Sequence, residues 1–168
     1  MVRLRIKITG GWVLRTFANG SIEYLIDEPR HLTFGRWEGD VRGDELLAAS
    51  PELWHAHPEI GRWDAIHDMR DFTGILEHRY TRELMRLRAE RVPGFNPQVR
   101  TAVVSGDPMK IFEIKVTKAT APDRQFRLFG SNAAALEWMI AEEPGRTQSG
   151  ALPWWFDRKP APNTAGVR

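Results

Sequence analysis

The stretch that decides the predicted fold is WDAIHDMRDFTG, residues 63–74. Its first seven residues show little polar alternation, which indicates a central strand that is covered on both faces. In an extended strand, alternate side chains lie on opposite faces. One face would carry Asp64, Ile66, Asp68 and Arg70, and the other would carry Ala65, His67 and Met69. The sequence therefore predicts a buried strand whose polar carboxyl end runs into a turn.

Upstream of this strand the pattern predicts an antiparallel hairpin followed by a helix. SIEYLID (21–27) and HLTFGRWEGD (31–40) read as strands, and only three residues separate them, so they must run antiparallel. VRGDELLAAS (41–50) has the pattern of a short helix. Two prolines and a glycine interrupt residues 51–62, which predicts an irregular connection there that holds Trp54.

Downstream of it, helices and short strands alternate. Residues 77–91 carry apolar side chains at i, i+4 and i+7, which predicts an amphipathic helix. RTAVVSG (100–106) and QFRLFG (125–130) read as short strands. Ser131 has the position of an N-cap for a last helix, which we expect to end before Pro144.

The segment between these two strands carries conflicting signals. Asp107 followed by Pro108 is a strong helix start and predicts a helix over 108–119, although apolar and polar residues alternate from Phe112 to Val116 as in a strand. We predict the helix. An antiparallel strand pair followed by alternating helices and strands then predicts an α/β fold with a mixed β-sheet and covering helices.

The predicted domain spans residues 20–143. Residues 1–19 form an N-terminal extension that could supply an extra strand or hairpin. Residues 144–168 are rich in proline and glycine and predict a flexible tail. Within that tail, LPWWF (152–156) holds three consecutive aromatic residues, which we expect to pack on the protein's own surface in preference to a partner or membrane.

Composition excludes several classes of protein. The formal net charge of the 168 residues is +2, from 24 basic and 22 acidic side chains that are interleaved, so we expect no nucleic-acid partner. The absence of cysteine excludes disulfides and thiolate chemistry. No apolar run is long enough for a signal peptide or a transmembrane helix, and a cytoplasmic location is expected.

The sequence predicts no catalytic residue, cofactor or metal ion. No nucleophile motif, phosphate loop or dinucleotide fingerprint is present. His67 and Asp68 point to opposite faces of the predicted strand, so they do not form a general acid–base pair. His55 and His57 could join His67 at a zinc ion, but histidines in a proline-flanked loop have no fixed geometry, and no carboxylate spacing supports the site.

The polar end of the central strand has two interpretations. Asp68, Arg70 and Asp71 lie where α/β sheets commonly place ligand sites. The alternative is structural: an Arg–Asp ion pair and an aspartate that accepts hydrogen bonds from backbone N–H groups at the turn. Structural carboxylates near turns are common, which favours the second interpretation.

Four stretches resemble the STAS-like domains of bacterial proteins, of the SpoIIAA-like type. AIHDMRDFTG (65–74) resembles the third strand and turn of these domains, and RTAVVSGDP (100–108) is similar to the next strand and helix start. QFRLFGSNAAALEWM (125–139) resembles the last strand and helix, and residues 21–41 resemble the first hairpin. The resemblance covers residues 20–142 and implies the same mixed-sheet α/β fold.

What the resemblance implies about function is a regulatory module without enzymatic activity. Anti-sigma-factor antagonists of this family carry a phosphorylatable serine where this chain has Glu77 or His78, and Thr73 is the nearest hydroxyl, so no phosphorylation switch is expected. We expect the module to bind a protein partner, or a second copy of itself, around the turn 68–78. Candidate residues there are Asp68, Arg70, Asp71, Phe72, Thr73 and His78.

Two alternatives stay open. SpoIIAA-like and Sec14-related proteins are associated with apolar ligands or membranes, and Trp37, Trp54, Phe72 and Phe112 could line a pocket for an apolar ligand or could form the core. An enzyme would need His67 or His78 beside a carboxylate in a cleft.

Overall fold

The computed structural model describes residues 11–94, 98–107, 125–141 and 152–159. Within them, one six-stranded sheet runs in the order β1 to β6. Its strands are Trp12–Thr16 (β1), Asn19–Asp27 (β2), Leu32–Asp40 (β3), Asp64–Phe72 (β4), Arg100–Val104 (β5) and Gln125–Phe129 (β6). β2 is antiparallel to both of its neighbours, β1 and β3. β3, β4, β5 and β6 run parallel to one another. The predicted mixed sheet with an N-terminal antiparallel hairpin is confirmed.

Helices cover both faces of this sheet. They are Gly43–Ala56 (α1), Pro58–Arg62 (α2), His78–Arg91 (α3) and Asn132–Ala141 (α4), and a short 3₁₀ turn at Glu28–Arg30 joins β2 to β3. The predicted N-cap of α4 is confirmed, because Oγ of Ser131 accepts a hydrogen bond of 3.3 Å from the N–H of Ala134. The predicted helix 108–119 and residues 1–10 of the extension lie outside the described residues.

The irregular connection predicted at 51–62 is wrong. Helix α1 continues through Pro51 to Ala56, and α2 follows with Pro58 at its first position. Proline inside a helix removes one backbone hydrogen bond. Leu53 and Trp54, one turn further on, are buried in the core. Their burial outweighs the lost bond, which is why the helix does not end at Pro51.

One face of the sheet packs against α1, α2 and α3. We call it the helix face. Its core is a continuous cluster of apolar side chains: Val13, Phe17, Ile22, Tyr24, Trp37, Val41, Leu46, Leu53, Trp54, Ile60, Met69, Phe72, Val92 and Val103. Because Val13 and Phe17 belong to this cluster, the strand in the N-terminal extension is part of the domain.

The opposite face packs against α4 and residues 152–159, which we call the aromatic segment. Its core consists of Leu25, Leu32, Phe34, Ile66, Ala102, Val104, Ala135, Trp138, Met139, Trp155 and Phe156. Trp155 is fully buried, and its ring and that of Phe156 meet Phe34 edge-on at centroid distances of 6.5 and 6.1 Å. The predicted docking on the protein's own surface is confirmed, and the expected flexible tail does not extend to residues 152–159.

The pairing between β3 and β4 is irregular near their carboxyl ends. Arg36 faces Asp68, but Glu38 faces Asp71, so one residue of β3 lies opposite two residues of β4. A bulge of this kind shifts the alternation of side chains by one residue. Phe72 consequently joins the helix-face core.

A close approach on the helix face explains a glycine in β3. A Cβ atom at Gly35 would lie 2.8 Å from Nδ1 of His67 and 3.2 Å from the ring of Tyr24. Tyr24 itself is buried, and this burial raises the pKa of its phenol, while the positive charges of Arg88 and Arg15 oppose the shift.

We predict that Trp155→Ala lowers the free energy of unfolding by about 3–5 kcal/mol, because it removes a fully buried indole from the core. Trp154→Ala, a change of the same type in the neighbouring residue, removes a side chain that is 61% exposed and should have a much smaller effect. Urea unfolding of both variants measures the difference. Equal losses in the two variants would contradict the docking of the aromatic segment.

We predict that the free energy of unfolding falls as pH rises above about 10, where an unfolded tyrosine ionises. In that range Tyr24 stays protonated in the folded state, because burial raises its pKa, whereas the same tyrosine ionises in the unfolded state. Ionisation therefore stabilises the unfolded state relative to the folded state. The slope from one group is at most about 1.4 kcal/mol per pH unit. Tyr24→Phe should lose this component and Tyr80→Phe should retain it, as urea unfolding at alkaline pH would show.

Candidate functional site

The polar residues predicted at the end of the central strand form a buried ion pair. Asp68 is 4% exposed. Its Oδ1 accepts hydrogen bonds from Nε and the backbone N–H of Arg70 at 2.9 and 3.2 Å, and its Oδ2 accepts one from Nη2 at 2.6 Å. These bonds to the Asp68 carboxylate raise the pKa of Arg70. The two residues form a salt bridge in which the Asp68 side chain is 5% and the Arg70 side chain 14% exposed.

Asn132 connects this pair to the aromatic segment. It is the first residue of α4 and is 1% exposed. Its Nδ2 donates hydrogen bonds of 2.9 Å both to Oδ2 of Asp68 and to the carbonyl oxygen of Phe156. Strand β4, helix α4 and the aromatic segment therefore meet at one amide group.

A second ion pair lies beside the first, on the same face. Nη2 of Arg36 donates to Oδ2 of Asp71 at 2.8 Å, and the Arg36 side chain is 8% exposed. The indole of Trp154 lies 5.3 Å from the Arg36 guanidinium and donates a hydrogen bond of 3.3 Å to Glu23. Arg158 approaches the same ring at 5.7 Å. Arg36 is thus placed between a carboxylate and an aromatic ring.

The turn between β4 and α3, residues 73–77, is held tightly at its start and exposed at its centre. The N–H of Thr73 donates to the carbonyl oxygen of Gly39 at 3.0 Å. A Cβ atom at Gly74 would lie 2.7 Å from Oδ1 of Asp40 and 2.8 Å from the Phe72 ring, so the turn requires glycine there. Ile75 is 73% exposed, which is the largest exposed fraction of any large apolar side chain in the described residues.

Helix α3 begins directly after this turn. Glu77 is its N-cap residue and His78 its first residue, and both side chains are exposed. Leu76 packs against the helix-face core and anchors the end of the turn.

Three of the candidate residues are core residues. Trp37, Trp54 and Phe72 are 5–7% exposed and belong to the helix-face cluster. The rings of Trp37 and Phe72 meet edge-on at 5.6 Å, and Nε1 of Trp37 donates to Nδ1 of His67 at 3.2 Å. Phe112 lies outside the described residues.

The candidate residues thus divide among three places. Asp68, Arg70 and Asp71 form ion pairs on the face of the aromatic segment, Thr73 and His78 flank an exposed turn, and the three aromatic residues fill the core. The residues predicted from the sequence do not include Asn132, Arg36 or Ile75, whereas Trp154 belongs to the aromatic cluster LPWWF that the sequence indicated. Asn132 is separated from Asp68 by 64 residues. Of the three that were not predicted, only Ile75, an apolar residue between Gly74 and a helix start, has a local sequence signal.

The histidines do not converge. His67 lies on β4 towards the helix face, His55 is exposed on α1, and His57 lies between α1 and α2. In the part of the chain that the structure describes, no three His, Cys, Asp or Glu side chains are arranged to hold a metal ion. His57 instead lines an open cleft of about 480 Å³, whose other lining residues are Gly11, Ile26, Glu28, Pro29, Ala56 and Glu59.

Comparison with known proteins gives a distant structural similarity. No protein-family model matches the chain, and no curated protein matches it. A crystal structure of an uncharacterised protein of the DUF3478 family from Shewanella loihica PV-4, which has a SpoIIAA-like fold, is similar over 82% of this chain and 100% of its own. The sequence identity is 14% and the TM-score is 0.47. The fold that it names is the SpoIIAA-like α/β fold expected from the sequence.

Among the described residues, no helix is both long enough and apolar enough to cross a bilayer.

We predict that Asp68→Ala lowers the free energy of unfolding by about 3–5 kcal/mol, because it leaves the partly buried guanidinium of Arg70 without its carboxylate. Glu83→Ala removes one partner of an exposed ion pair with Arg86 and should cause no resolvable change. Urea unfolding compares the two variants. If Asp68→Ala were as stable as Glu83→Ala, the pair at the end of β4 would not stabilise the fold.

Proposed function

We propose that this chain is a non-enzymatic regulatory module that binds a protein partner through residues 68–78, which we call the binding surface. The observation that carries the proposal is the exposure of Ile75 on a turn whose two ends are anchored. A large apolar side chain exposed on a turn with anchored ends can serve as the anchor of a protein interface.

The anchoring of the turn supports this function energetically. A loop that is ordered before binding loses less conformational entropy when the partner arrives. Gly74 lies against Phe72 and Asp40, and Leu76 is held in the core, so Ile75 is presented on a constrained backbone. Thr73 and His78 provide polar groups at the rim of the apolar side chain.

We propose that binding is not controlled by phosphorylation of the helix start. The position of the serine in the resembling family is occupied here by the N-cap Glu77 and by His78. Neither side chain has a hydroxyl. Thr73 is exposed, but it lies in the turn and not in the helix.

The proposal includes the absence of enzymatic activity and a cytoplasmic location. The state of the polar groups supports the first part: Asp68 and Asp71 are each in an ion pair with an arginine, and His67 accepts the indole N–H of Trp37 on the opposite face. Side chains held in this way are poorly placed to abstract or deliver protons.

Transient membrane docking is the second candidate function, and one observation favours it. Leu152 and Trp154 of the aromatic segment are 46% and 61% exposed, and Arg158 and Lys159 beside them are exposed as well. Aromatic and basic side chains together are typical of membrane-surface contacts. A function as a carrier of an apolar ligand has less support, because the residues expected to line its pocket, Trp37, Trp54 and Phe72, contribute to a packed core.

We predict that a photo-crosslinking amino acid at position 75 captures a discrete protein partner from cell extract, whereas the same amino acid at Ala89 does not. Ala89 is an exposed residue of α3 away from the turn, and it serves as the matched control. The Ile75→Asp variant should compete at least tenfold less well than the unmodified protein for the adduct, since a charge replaces the apolar anchor. Denaturing mass spectrometry identifies the adduct.

The outcomes separate the possibilities. An adduct of twice the mass of the chain identifies a homodimer as the partner state. Equal labelling from positions 75 and 89, or adducts that Ile75→Asp competes away as well as the unmodified protein does, would contradict a specific partner site at the turn. Adducts with lipid alone would favour membrane docking.

A further inference from the structure

We propose that the aromatic segment regulates the binding surface: when it is docked on the sheet it holds residues 68–71 in place, and when it is released the β4–α3 turn loosens. This inference rests on the proposed function, because it names how that surface is controlled. It has its own structural basis, however, in two separate bridges between the aromatic segment and strand β4.

The first bridge is the amide of Asn132. Its two hydrogen bonds, to the carbonyl oxygen of Phe156 and to Oδ2 of Asp68, use the same nitrogen and have the same length of 2.9 Å. When Phe156 leaves, this nitrogen loses one of its two acceptors inside a buried environment. The amide then rotates or takes in water, and the Asp68–Arg70 pair loses the fixed donor that orients it.

The second bridge is the ring of Trp154. It lies over the guanidinium of Arg36, 5.3 Å from the ring centre, while Nη2 of the same guanidinium donates to Asp71. An aromatic ring that excludes water from an ion pair strengthens the pair, because the local dielectric constant falls. Release of the aromatic segment exposes Arg36 to water and weakens its attraction for Asp71.

The two bridges end on either side of the bulge in β4. Asp68 precedes Met69 and Arg70, and Asp71 follows them. The bulged residues lack the regular pairing of a strand interior, so side-chain contacts contribute more to holding them than in a regular ladder. Thr73 and Ile75 follow within a few residues, and the Thr73 hydrogen bond to Gly39 depends on the position of this strand end.

The aromatic segment is suited to reversible release. Trp155 and Phe156 supply its contacts with the core cluster, and Pro153 beside them is buried as well. Its docking also buries two polar atoms that have no hydrogen-bond partner among the described residues, Nε1 of Trp155 and Oδ1 of Asn132, and such atoms reduce the net gain from burial. The docked and released states are therefore closer in free energy than the complete burial of Trp155 by itself implies.

Linkage follows from this geometry. If docking of the aromatic segment orders the binding surface, a partner that binds the ordered surface must favour docking by the same free energy. A second ligand that captures the exposed Leu152 and Trp154 edge and pulls the segment away would lower partner affinity. The segment is thus a control element for the same site, and not a separate one.

Hydrogen–deuterium exchange of the free full-length protein tests the proposal without any partner. The double variant Trp155→Ala/Phe156→Ala removes both anchors and should increase exchange in residues 152–159 and, by about fivefold or more, in peptides that cover 69–78. Trp154→Ala cuts only the second bridge, leaves the core filled, and should increase exchange in 69–78 to a smaller extent. Leu152→Ala, in the same segment but outside both bridges, is the matched control and should leave 69–78 unchanged.

The proposal is overturned if the double variant opens the aromatic segment while exchange in 69–78 stays at the wild-type level, or if the segment stays protected without its two anchors. If the double variant loses its cooperative folding, the comparison of Trp154→Ala with Leu152→Ala decides, and equal exchange in 69–78 refutes the coupling. Because no partner is present, failure here is distinct from failure of the crosslinking at position 75.

Discussion

Strand β4 has to be covered on both of its faces, and the rest of the structure depends on this constraint. Ile66 faces the aromatic segment and α4, while Met69 faces α1 and α3, and all of these side chains are buried. A two-layer arrangement would leave one apolar face of a parallel sheet in water, which such sheets do not tolerate. The aromatic segment contributes to this cover although it lies outside the helices and strands.

The same strand carries one buried carboxylate at its start and another at its middle, and each has a guanidinium partner. Asp64 at the start of β4 accepts hydrogen bonds from the backbone and side chain of Arg100 on β5, with the closest at 2.6 Å. Asp68, further along, is paired with Arg70 and Asn132. An uncompensated charge at either position would cost several kcal/mol of stability. The arginine partners are therefore needed for folding, whatever role the residues have in binding.

The contacts of Asp68 with Arg70 and Asn132 help to hold the surface near the end of β4 in place. Asp68, Arg70 and Asp71 are in internal ion pairs, and Ile75 is the large apolar side chain exposed beside them. Under the proposed function, Ile75 is the group that contacts the partner, and the ion pairs help to order the turn that carries it. The aromatic segment touches both pairs, through Asn132 and through Trp154, and this places the chain's carboxyl-terminal region in contact with the proposed binding surface.

The sequence by itself determined the elements whose signals are local. Turn residues and short spacing predicted the β2–β3 hairpin, apolar periodicity predicted α3, and Ser131 predicted the start of α4, because each depends on backbone conformation within a few residues. The resemblance of four ordered motifs led to the prediction of a SpoIIAA-like fold with a mixed sheet, and the structure has such a sheet.

Only the tertiary structure decided the rest. The burial of Leu53 and Trp54 explains why α1 continues beyond Pro51. The bulge in β4 places Phe72 in the core, and Asn132 forms a hydrogen bond with Asp68, 64 residues away in the chain. Which polar residue is buried, paired or exposed depends on the side chains that surround it in space, and no local pattern in the chain contains that information.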